Sequence, residues 1–213
     1  AQGAGAGGGR ATVRPPEVLP GDPGARPAAG AGPTQRELNG AFSSKANWLY
    51  HTHDYSGSRY SALTEITPAN AGRLRVACAF QLGELGNFQS GPLVYNGRLY
   101  VTGIRTTAAI DARSCELIWK HEWTPKAPEG WPQNRGAAIK DGYLVRGTVD
   151  GYLVALNLES GRMVWARRAA NRPDTRSAHE QRQRGSRPSQ QRWRKRSRRV
   201  DRKSTRLNSS HIT

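Results

Sequence analysis

The sequence predicts an all-β protein that contains about two four-stranded blades of a β-propeller. One motif occurs twice in the middle of the chain: Gly91 and Gly136 begin it 45 residues apart, and Trp119 and Trp165 end it 46 residues apart. A period of about 40 to 50 residues, filled with short segments and glycine-containing turns, is typical of propeller blades. We therefore expect each copy of the motif to form one blade.

The two expected blades cover about residues 91–123 and 136–168. In the second copy, four short segments are predicted to be strands, separated by turn pairs that supply the positive φ angle of a tight hairpin. Four strands joined by three hairpins make one antiparallel meander. The predicted strands are 137–140, 143–148, 152–157 and 162–167, and the turn pairs are Asp141-Gly142, Asp150-Gly151 and Ser160-Gly161.

Each repeat ends in an eleven-residue run with the pattern Ala-x-Asp/Asn-x-x-Ser-Gly-x-x-x-Trp. Residues 155–165 match this pattern fully, and residues 109–119 match it except that Cys115 stands in place of the glycine. Because blades pack face to face, a flat ring at the same place in each blade can cover the neighbouring blade. We expect Trp119 and Trp165 to pack in this way. Two ordinary core tryptophans would not explain their matched positions.

This run resembles the tryptophan-docking motif of the quinoprotein dehydrogenases, which are eight-bladed propellers that bind pyrroloquinoline quinone (PQQ). The resemblance covers about residues 47–170, which we interpret as a partial eight-bladed propeller. It implies oxidation of an alcohol or a sugar to the carbonyl, with electrons passed to a cytochrome or to membrane quinone. It also implies a location in the periplasm or at the periplasmic face of the inner membrane. The segments that resemble the opening of the alcohol dehydrogenase branch are Asn47-Trp48-Leu49-Tyr50, Asp54-Tyr55-Ser56-Gly57-Ser58-Arg59-Tyr60-Ser61-Ala62-Leu63-Thr64, Ile66-Thr67-Pro68-Ala69-Asn70 and Gly72-Arg73-Leu74.

The resemblance also indicates two cofactor contacts. The family's glutamate that hydrogen-bonds the quinone, just before the first strand of a blade, falls at Gln89; glutamine keeps an acceptor and adds donors but lacks the charge. The family's Asn-Arg-Gly, whose arginine reaches the cofactor, corresponds to Asn134-Arg135-Gly136. PQQ carries three carboxylates, and a guanidinium can bind one of them with two parallel hydrogen bonds. The alternatives are a polar loop residue at position 89 and a surface arginine at the mouth of the blade.

The chain departs from the family pattern in ways that leave its function open. Two adjacent cysteines that often precede the arginine are replaced by Glu129 and Gly130, and Gln89 replaces the glutamate. The family's catalytic aspartate and its calcium ligands lie in later blades, so we expect neither a catalytic nor a metal-binding residue in this chain. The alternative function is a non-enzymatic propeller of the same repeats that serves as a protein-binding scaffold.

The two ends differ in composition from the propeller region. The first forty residues contain 24 Gly, Ala or Pro and no aromatic residue, so we expect residues 1–46 to be mostly disordered. Residues 171–213 contain 14 of the 33 Lys and Arg but 3 of the 16 Asp and Glu, which contributes 14 − 3 = +11 of the net charge of +17. A basic arm of this kind can bind nucleic acid through its phosphates. The abrupt change in composition instead favours an out-of-frame or artefactual sequence, and nucleic-acid binding is not expected.

The cysteine and histidine pairs give weaker indications. Cys78 and Cys115 form a disulfide in an exported protein or remain free thiols, and the sequence leaves both possibilities open. His51 and His53 are a weak indication of a metal site because no third ligand of the usual type lies nearby. Residues 75–82 alternate as in a strand, one that would complete a neighbouring blade.

The sequence contains no run of about 18 or more apolar residues, so no transmembrane segment is predicted. Its first residue is Ala1 and its one methionine is Met163, which we interpret as a sign of a processed product or an incomplete fragment. The resemblance implies an N-terminal fragment of a longer dehydrogenase. Two blades of a ring leave an open face and exposed strand edges, so we expect marginal stability.

Overall fold

The computed structural model describes residues 17–169, and their regular structure is mainly two antiparallel four-stranded units built from successive hairpins. We name β2 to β5 blade 1 and β6 to β9 blade 2; β1 joins blade 2 as a fifth strand at the edge of β9. The strands are β1 (Val18–Pro20), β2 (Leu93–Tyr95), β3 (Arg98–Thr102), β4 (Thr106–Asp111), β5 (Leu117–Glu122), β6 (Ala137–Lys140), β7 (Tyr143–Gly147), β8 (Tyr152–Asn157) and β9 (Met163–Arg168).

The predicted meander of the second repeat is confirmed strand by strand, with ends that differ by one residue at β7 and β9. The hairpins that join the first two strands of each blade have positive φ angles at both central residues. These angles are 49° and 72° at Asn96-Gly97 and 48° and 77° at Asp141-Gly142. Such a turn matches the right-handed twist of the strands it joins, which is why Asn-Gly and Asp-Gly are favoured in it. The all-β propeller-type fold expected from the repeats is therefore present.

The hydrophobic core lies along the seam where blade 1 faces blade 2. Trp119 on β5 is 7% exposed, and its ring covers Gly161 of blade 2 so closely that a Cβ atom there would lie 2.4 Å from Cε3 of the ring. The indole N–H donates a hydrogen bond to the Leu158 carbonyl oxygen at 3.1 Å. Trp165 has the same place in blade 2 but is only half-buried, since the described residues contain no third blade. The predicted docking is thus confirmed for Trp119.

The expectation that residues 1–46 are disordered is wrong for residues 17–46. β1 pairs with β9, and the backbone amides of Asp141 and Gly142 donate to the carbonyl oxygens of Pro33 and Gly32 at 2.8 and 3.0 Å. This arm buries little apolar surface of its own, but its backbone is paired with blade 2 and Leu38 enters the core. Composition alone misleads here because the contacts that order the arm are supplied by residues more than 100 positions away.

The arm also contains the one α-helix of residues 17–169, α1 (Gln35–Asn39). Thr34 and Glu37 form a capping box at its start: the Thr34 hydroxyl accepts from the Glu37 amide, and the Glu37 carboxylate accepts from the Thr34 amide at 2.7 Å. Neither this helix nor the 3₁₀ turns in the described part of the chain have the length and apolar character needed to cross a membrane.

Two further expectations have different outcomes. Residues 75–82 contain no strand in the structure, because nothing among the described residues pairs with their backbone. Cys78 and Cys115, for which the sequence left two possibilities open, form a disulfide. The expectations for residues 1–16 and for the basic stretch 171–213 lie outside the described residues.

The contact between Trp119 and Gly161 predicts a large cost for a single methyl group. Gly161→Ala places Cβ inside the Trp119 ring and forces a residue with a φ of 70° to carry a side chain. We expect it to lower the free energy of unfolding by about 2–4 kcal/mol, since overpacking and left-handed strain add. Urea unfolding of the full chain, followed by tryptophan fluorescence, measures this.

Gly147→Ala is the matched control, because a Cβ atom at Gly147 has open space around it and the φ angle there is not positive. We expect a change within about 0.5 kcal/mol for this variant. Equal unfolding midpoints for the two variants would show that the ring does not rest on Gly161.

Candidate functional site

The structure brings the two segments predicted to contact the cofactor together at one end of the seam. Gln89 lies just before β2 of blade 1, and Arg135 lies just before β6 of blade 2; both side chains are exposed. A Cβ atom on Gly136 would lie 3.1 Å from the carbonyl oxygen of Gly91, so the two backbones are almost in contact. The first strands of both blades therefore begin side by side, and each is preceded by one of the predicted residues.

Asn134 fixes the loop that carries Arg135, a role that sequence reasoning missed. Its Oδ1 accepts from the Thr102 hydroxyl at 2.6 Å and from the Gly136 amide at 2.9 Å, and its Nδ2 donates to the Gly147 carbonyl at 2.9 Å. The Thr102 hydroxyl in turn lies 2.8 Å from the Ser90 hydroxyl. This chain of hydrogen bonds crosses the seam, so the segment before β2 and the segment before β6 are positioned as one unit.

A buried arginine also ties the two blades together at this end. The Arg146 side chain on β7 is almost fully buried, and its guanidinium donates to the Thr106 carbonyl at 2.7 Å and the Gly103 carbonyl at 3.1 Å. It also donates to the Thr107 hydroxyl at 3.1 Å and to the Ile104 carbonyl. Burial lowers the pKa of Arg146 to about 10, so the group remains charged at neutral pH. One guanidinium thus holds the turn between β3 and β4.

The sequence carries a signal for Arg146 in the alternation of β7. The side chains of β7 alternate between more and less exposed positions, and Arg146 occupies the same buried face as Leu144. A charged residue on the apolar face of a predicted strand indicates either a satisfied hydrogen-bond network or an error in register. Its partners could not be named from the sequence, because they lie about 40 residues away in blade 1.

His121 lies beside this buried charge. It is on β5, directly opposite Thr107 of β4, and its Nδ1 is buried without a hydrogen-bond partner among the described residues. Burial first, and then the positive charge of Arg146, lower the pKa of His121 below its ordinary value. The structure therefore favours the neutral imidazole at the seam.

The segment between β5 and β6 has no cysteine pair, and hydrogen bonds to blade 1 and blade 2 hold it in place. Glu129, one of the two residues at the family's cysteine positions, accepts a hydrogen bond from Nε of Arg105 at 2.9 Å. Gly130, the other, donates its amide to the Val149 carbonyl at 2.8 Å. Earlier in the segment, the amide of Lys126 donates to the Asp150 carboxylate at 2.8 Å. The replaced residues thus have structural partners here.

The histidine pair has no metal-site geometry. His53 is buried against the Trp48 ring with centroids 4.4 Å apart, whereas His51 is exposed and lies against Gly91. Asp54, next to His53, accepts hydrogen bonds from Ser58 and Ser56, which lower the pKa of its carboxyl group. Residues 17–169 contain no group of three or more His, Cys, Asp or Glu side chains that could hold a metal ion.

Comparison with known proteins identifies the family. Residues 48–166 match the PQQ family model, described as the glucose/ethanol/alcohol dehydrogenase β-propeller domain. The chain belongs to this family. The suspected relationship to PQQ-dependent alcohol dehydrogenases is thereby confirmed, and the matched residues include both blades and the lead-in from Trp48.

Named relatives and solved structures agree with this. The chain is 33% identical over 135 residues to the 1-butanol dehydrogenase (cytochrome c) of Thauera butanivorans, which covers 60% of this chain and 19% of that protein. It is 34% identical over 128 residues to the dehydrogenase subunit of the alcohol dehydrogenase (quinone) of Gluconobacter oxydans, covering 56% and 17%. The structure of quinohemoprotein alcohol dehydrogenase ADHIIG from Pseudomonas putida HK5 superposes with a TM-score of 0.61 at 27% identity, covering 67% and 22%. The chain spans about a fifth of the length of the curated relatives it matches.

His121 predicts a pH dependence of stability at the seam. Because its folded-state pKa is lowered, the unfolded chain binds a proton more readily, so the stability that the neutral ring allows is present above about pH 6.5 and is lost as pH falls towards the folded pKa. We expect His121→Gln to remove this part of the pH dependence.

The measurement is urea unfolding of the full chain at pH 7.5, 6.5 and 5.5. His51→Gln, a change at an exposed histidine, is the control and should keep the wild-type slope. If wild type and His121→Gln lose stability in parallel as the pH falls, the unpaired ring at the seam is not the cause.

Proposed function

We propose that the protein carrying these blades is a PQQ-dependent dehydrogenase that oxidises an alcohol or a sugar to the carbonyl. The observation that carries the proposal is the placement of Arg135: an exposed guanidinium on a loop fixed by Asn134, directly beside the segment that enters blade 1. Arg135 makes no ion pair among the described residues, so its charge is available to an anion.

The chemistry of this end of the seam fits a carboxylate-bearing quinone. Arg135 would hold one carboxylate through two parallel N–H donors. Gln89 would offer a neutral amide with both donor and acceptor atoms, and it adds no negative charge near an anionic ligand. When bound, PQQ supplies the two-electron acceptor of the reaction. The role of these two residues is to bind and orient the group at the mouth of the propeller.

Calcium or a similar ion, and the catalytic carboxylate, would come from residues other than 17–169, which contain no suitable cluster. The names of the relatives indicate cytochrome c or quinone as their electron acceptors, and we propose one of these acceptors here, with a location in the periplasm or at the periplasmic face of the inner membrane. The scaffold alternative remains a prediction and differs in requiring no anion at Arg135.

Removal of the guanidinium tests the proposal. In the gene product that carries these blades, prepared without PQQ, we expect Arg135→Gln to weaken PQQ binding about tenfold or more, because a hydrogen bond to a charged group contributes about 1.5–3 kcal/mol. Fluorescence quenching or calorimetric titration with PQQ measures this. Arg113→Gln removes the same charge from an exposed turn between β4 and β5 and should bind PQQ like wild type. Equal affinity in all three proteins would show that Arg135 does not contact PQQ, and no binding by the wild type would support the scaffold alternative.

Asn134 allows a second, sharper prediction. Asn134→Ala leaves the guanidinium in place but removes the hydrogen bonds that position its loop. We expect PQQ affinity to fall about tenfold in the wild-type background and much less in an Arg135→Gln background, since two residues that act through one contact are not additive. Additive losses in the double variant would mean that Asn134 affects binding by some other route, such as general destabilisation.

A further inference from the structure

The hairpin turns that follow β4 and β8 are built alike, bond for bond. In the turn 111–115, Oδ1 of Asp111 accepts from the amides two and three residues further on, at 2.8 and 2.9 Å. In the turn 157–161, Oδ1 of Asn157 does the same at 2.8 and 3.0 Å. The amide of the last residue in each turn donates to the carbonyl of the first, at 3.0 and 2.9 Å. The last residues therefore occupy equivalent places in the two blades.

Positions 115 and 161 are covered by different groups. Gly161 lies under the Trp119 ring of the preceding blade and has no room for a Cβ atom. Cys115, with the same left-handed backbone at a φ of 60°, instead carries a sulfur bonded to Cys78. A ring cannot lie on blade 1 as Trp119 lies on blade 2, because the side chain and its disulfide fill that space.

The segment after Cys78 contacts blade 1 in the same way as the segment after β5 contacts blade 2. β5 continues into Trp123, whose indole N–H donates to Asp150 in the turn between β7 and β8 at 3.0 Å. After Cys78 the chain reaches Glu84, whose carboxylate accepts from the Arg105 amide in the turn between β3 and β4 at 2.7 Å. The segment from Trp119 to Trp123 thus contacts blade 2 at the β8–β9 turn and at the β7–β8 turn, which lie at opposite ends of the sheet. The segment from Cys78 to Glu84 contacts blade 1 at the β4–β5 turn and at the β3–β4 turn in the same way.

We propose that the Cys78–Cys115 disulfide takes, at the seam in front of blade 1, the place of the tryptophan-on-glycine contact that joins blades 1 and 2. Cys78 then stands for the docking tryptophan and Cys115 for the glycine. Residues 75–82 accordingly occupy the position of an outermost strand of a preceding blade, although no described residue pairs with them. The exposure of Val76, at 87%, agrees with a strand edge and face that lack their partners in this part of the chain.

The consequence is that the two seams respond differently to reduction. A dithiol reductant gives two electrons and two protons to the Cys78–Cys115 bond, which yields two thiols, and the reductant becomes a disulfide. Segment 75–82 then loses its covalent link to blade 1. The seam between Trp119 and Gly161 contains no sulfur and is unaffected.

Tryptic cleavage after Arg75, followed by mass spectrometry on the full chain, tests the proposal. We expect dithiothreitol to raise the rate of this cleavage about tenfold or more in wild type, because local opening controls proteolysis. Cys78→Ser/Cys115→Ser should be cleaved rapidly with or without the reductant. Cleavage after the buried Arg146 reports global unfolding and should stay slow in both. A wild-type rate that the reductant leaves unchanged would overturn the proposal.

A swap of the two contacts gives the decisive variant. Cys78→Trp/Cys115→Gly rebuilds the tryptophan-on-glycine pair at the first seam, and we expect slow cleavage after Arg75 that no longer depends on dithiothreitol. Cleavage as fast as in the double serine variant would show that the positions are not equivalent. Unfolding of the swapped chain, seen as cleavage after Arg146, would also overturn the equivalence if the double serine variant remains folded.

Discussion

The packing of Trp119 on Gly161 is the contact on which the relation between the two blades depends. A buried tryptophan of this kind contributes about 3 kcal/mol or more, and the absence of a side chain at Gly161 sets how closely the sheets approach. At that separation the side chain of Arg146 reaches the turn between β3 and β4, and the backbone of Gly136 approaches Gly91. The candidate site at the end of the seam is therefore a product of the core packing.

Arg146 and Asn134 contribute to the seam differently from Trp119, because they set the register of the two blades more than they add stability. Burying the Arg146 guanidinium costs free energy, which four hydrogen bonds to oxygens of blade 1 and one to the Gly147 carbonyl offset. An apolar residue of similar volume could stabilise the blade pair as well. What the guanidinium adds is register, because its donors fit only one placement of the β3–β4 turn. Asn134 does the same for the loop before β6, where each polar atom of its amide has a partner.

The sequence predicted what is local and repeated, and it failed where order comes from distant partners. Turn pairs such as Asp141-Gly142 fix hairpins through their own backbone angles, so the strands of blade 2 could be placed almost to the residue. Residues 18–20 have no local signal for order, since β1 exists only because β9 offers an edge. The opposite error at 75–82 has the same cause, as an alternating pattern makes a strand only where another strand pairs with it. Arg135 could be picked out by family resemblance, whereas Asn134 is recognisable only when its three partners are seen.

The ordered arm adds rigidity at one end of the blade pair. It crosses the far end of the seam, where Pro33 binds the β6–β7 turn and Glu37 accepts from the Tyr95 hydroxyl at 3.3 Å. The seam is thus held at its far end by the arm and by Trp119 on Gly161, and at the end that carries Arg135 by polar contacts together with the packing of Trp123 on Tyr152, whose ring centroids lie 5.5 Å apart. A ligand at that end would meet loops whose backbone is already fixed, which lowers the ordering cost of binding. An exposed guanidinium on a fixed loop is suited to a rigid polyanion such as a tricarboxylated quinone.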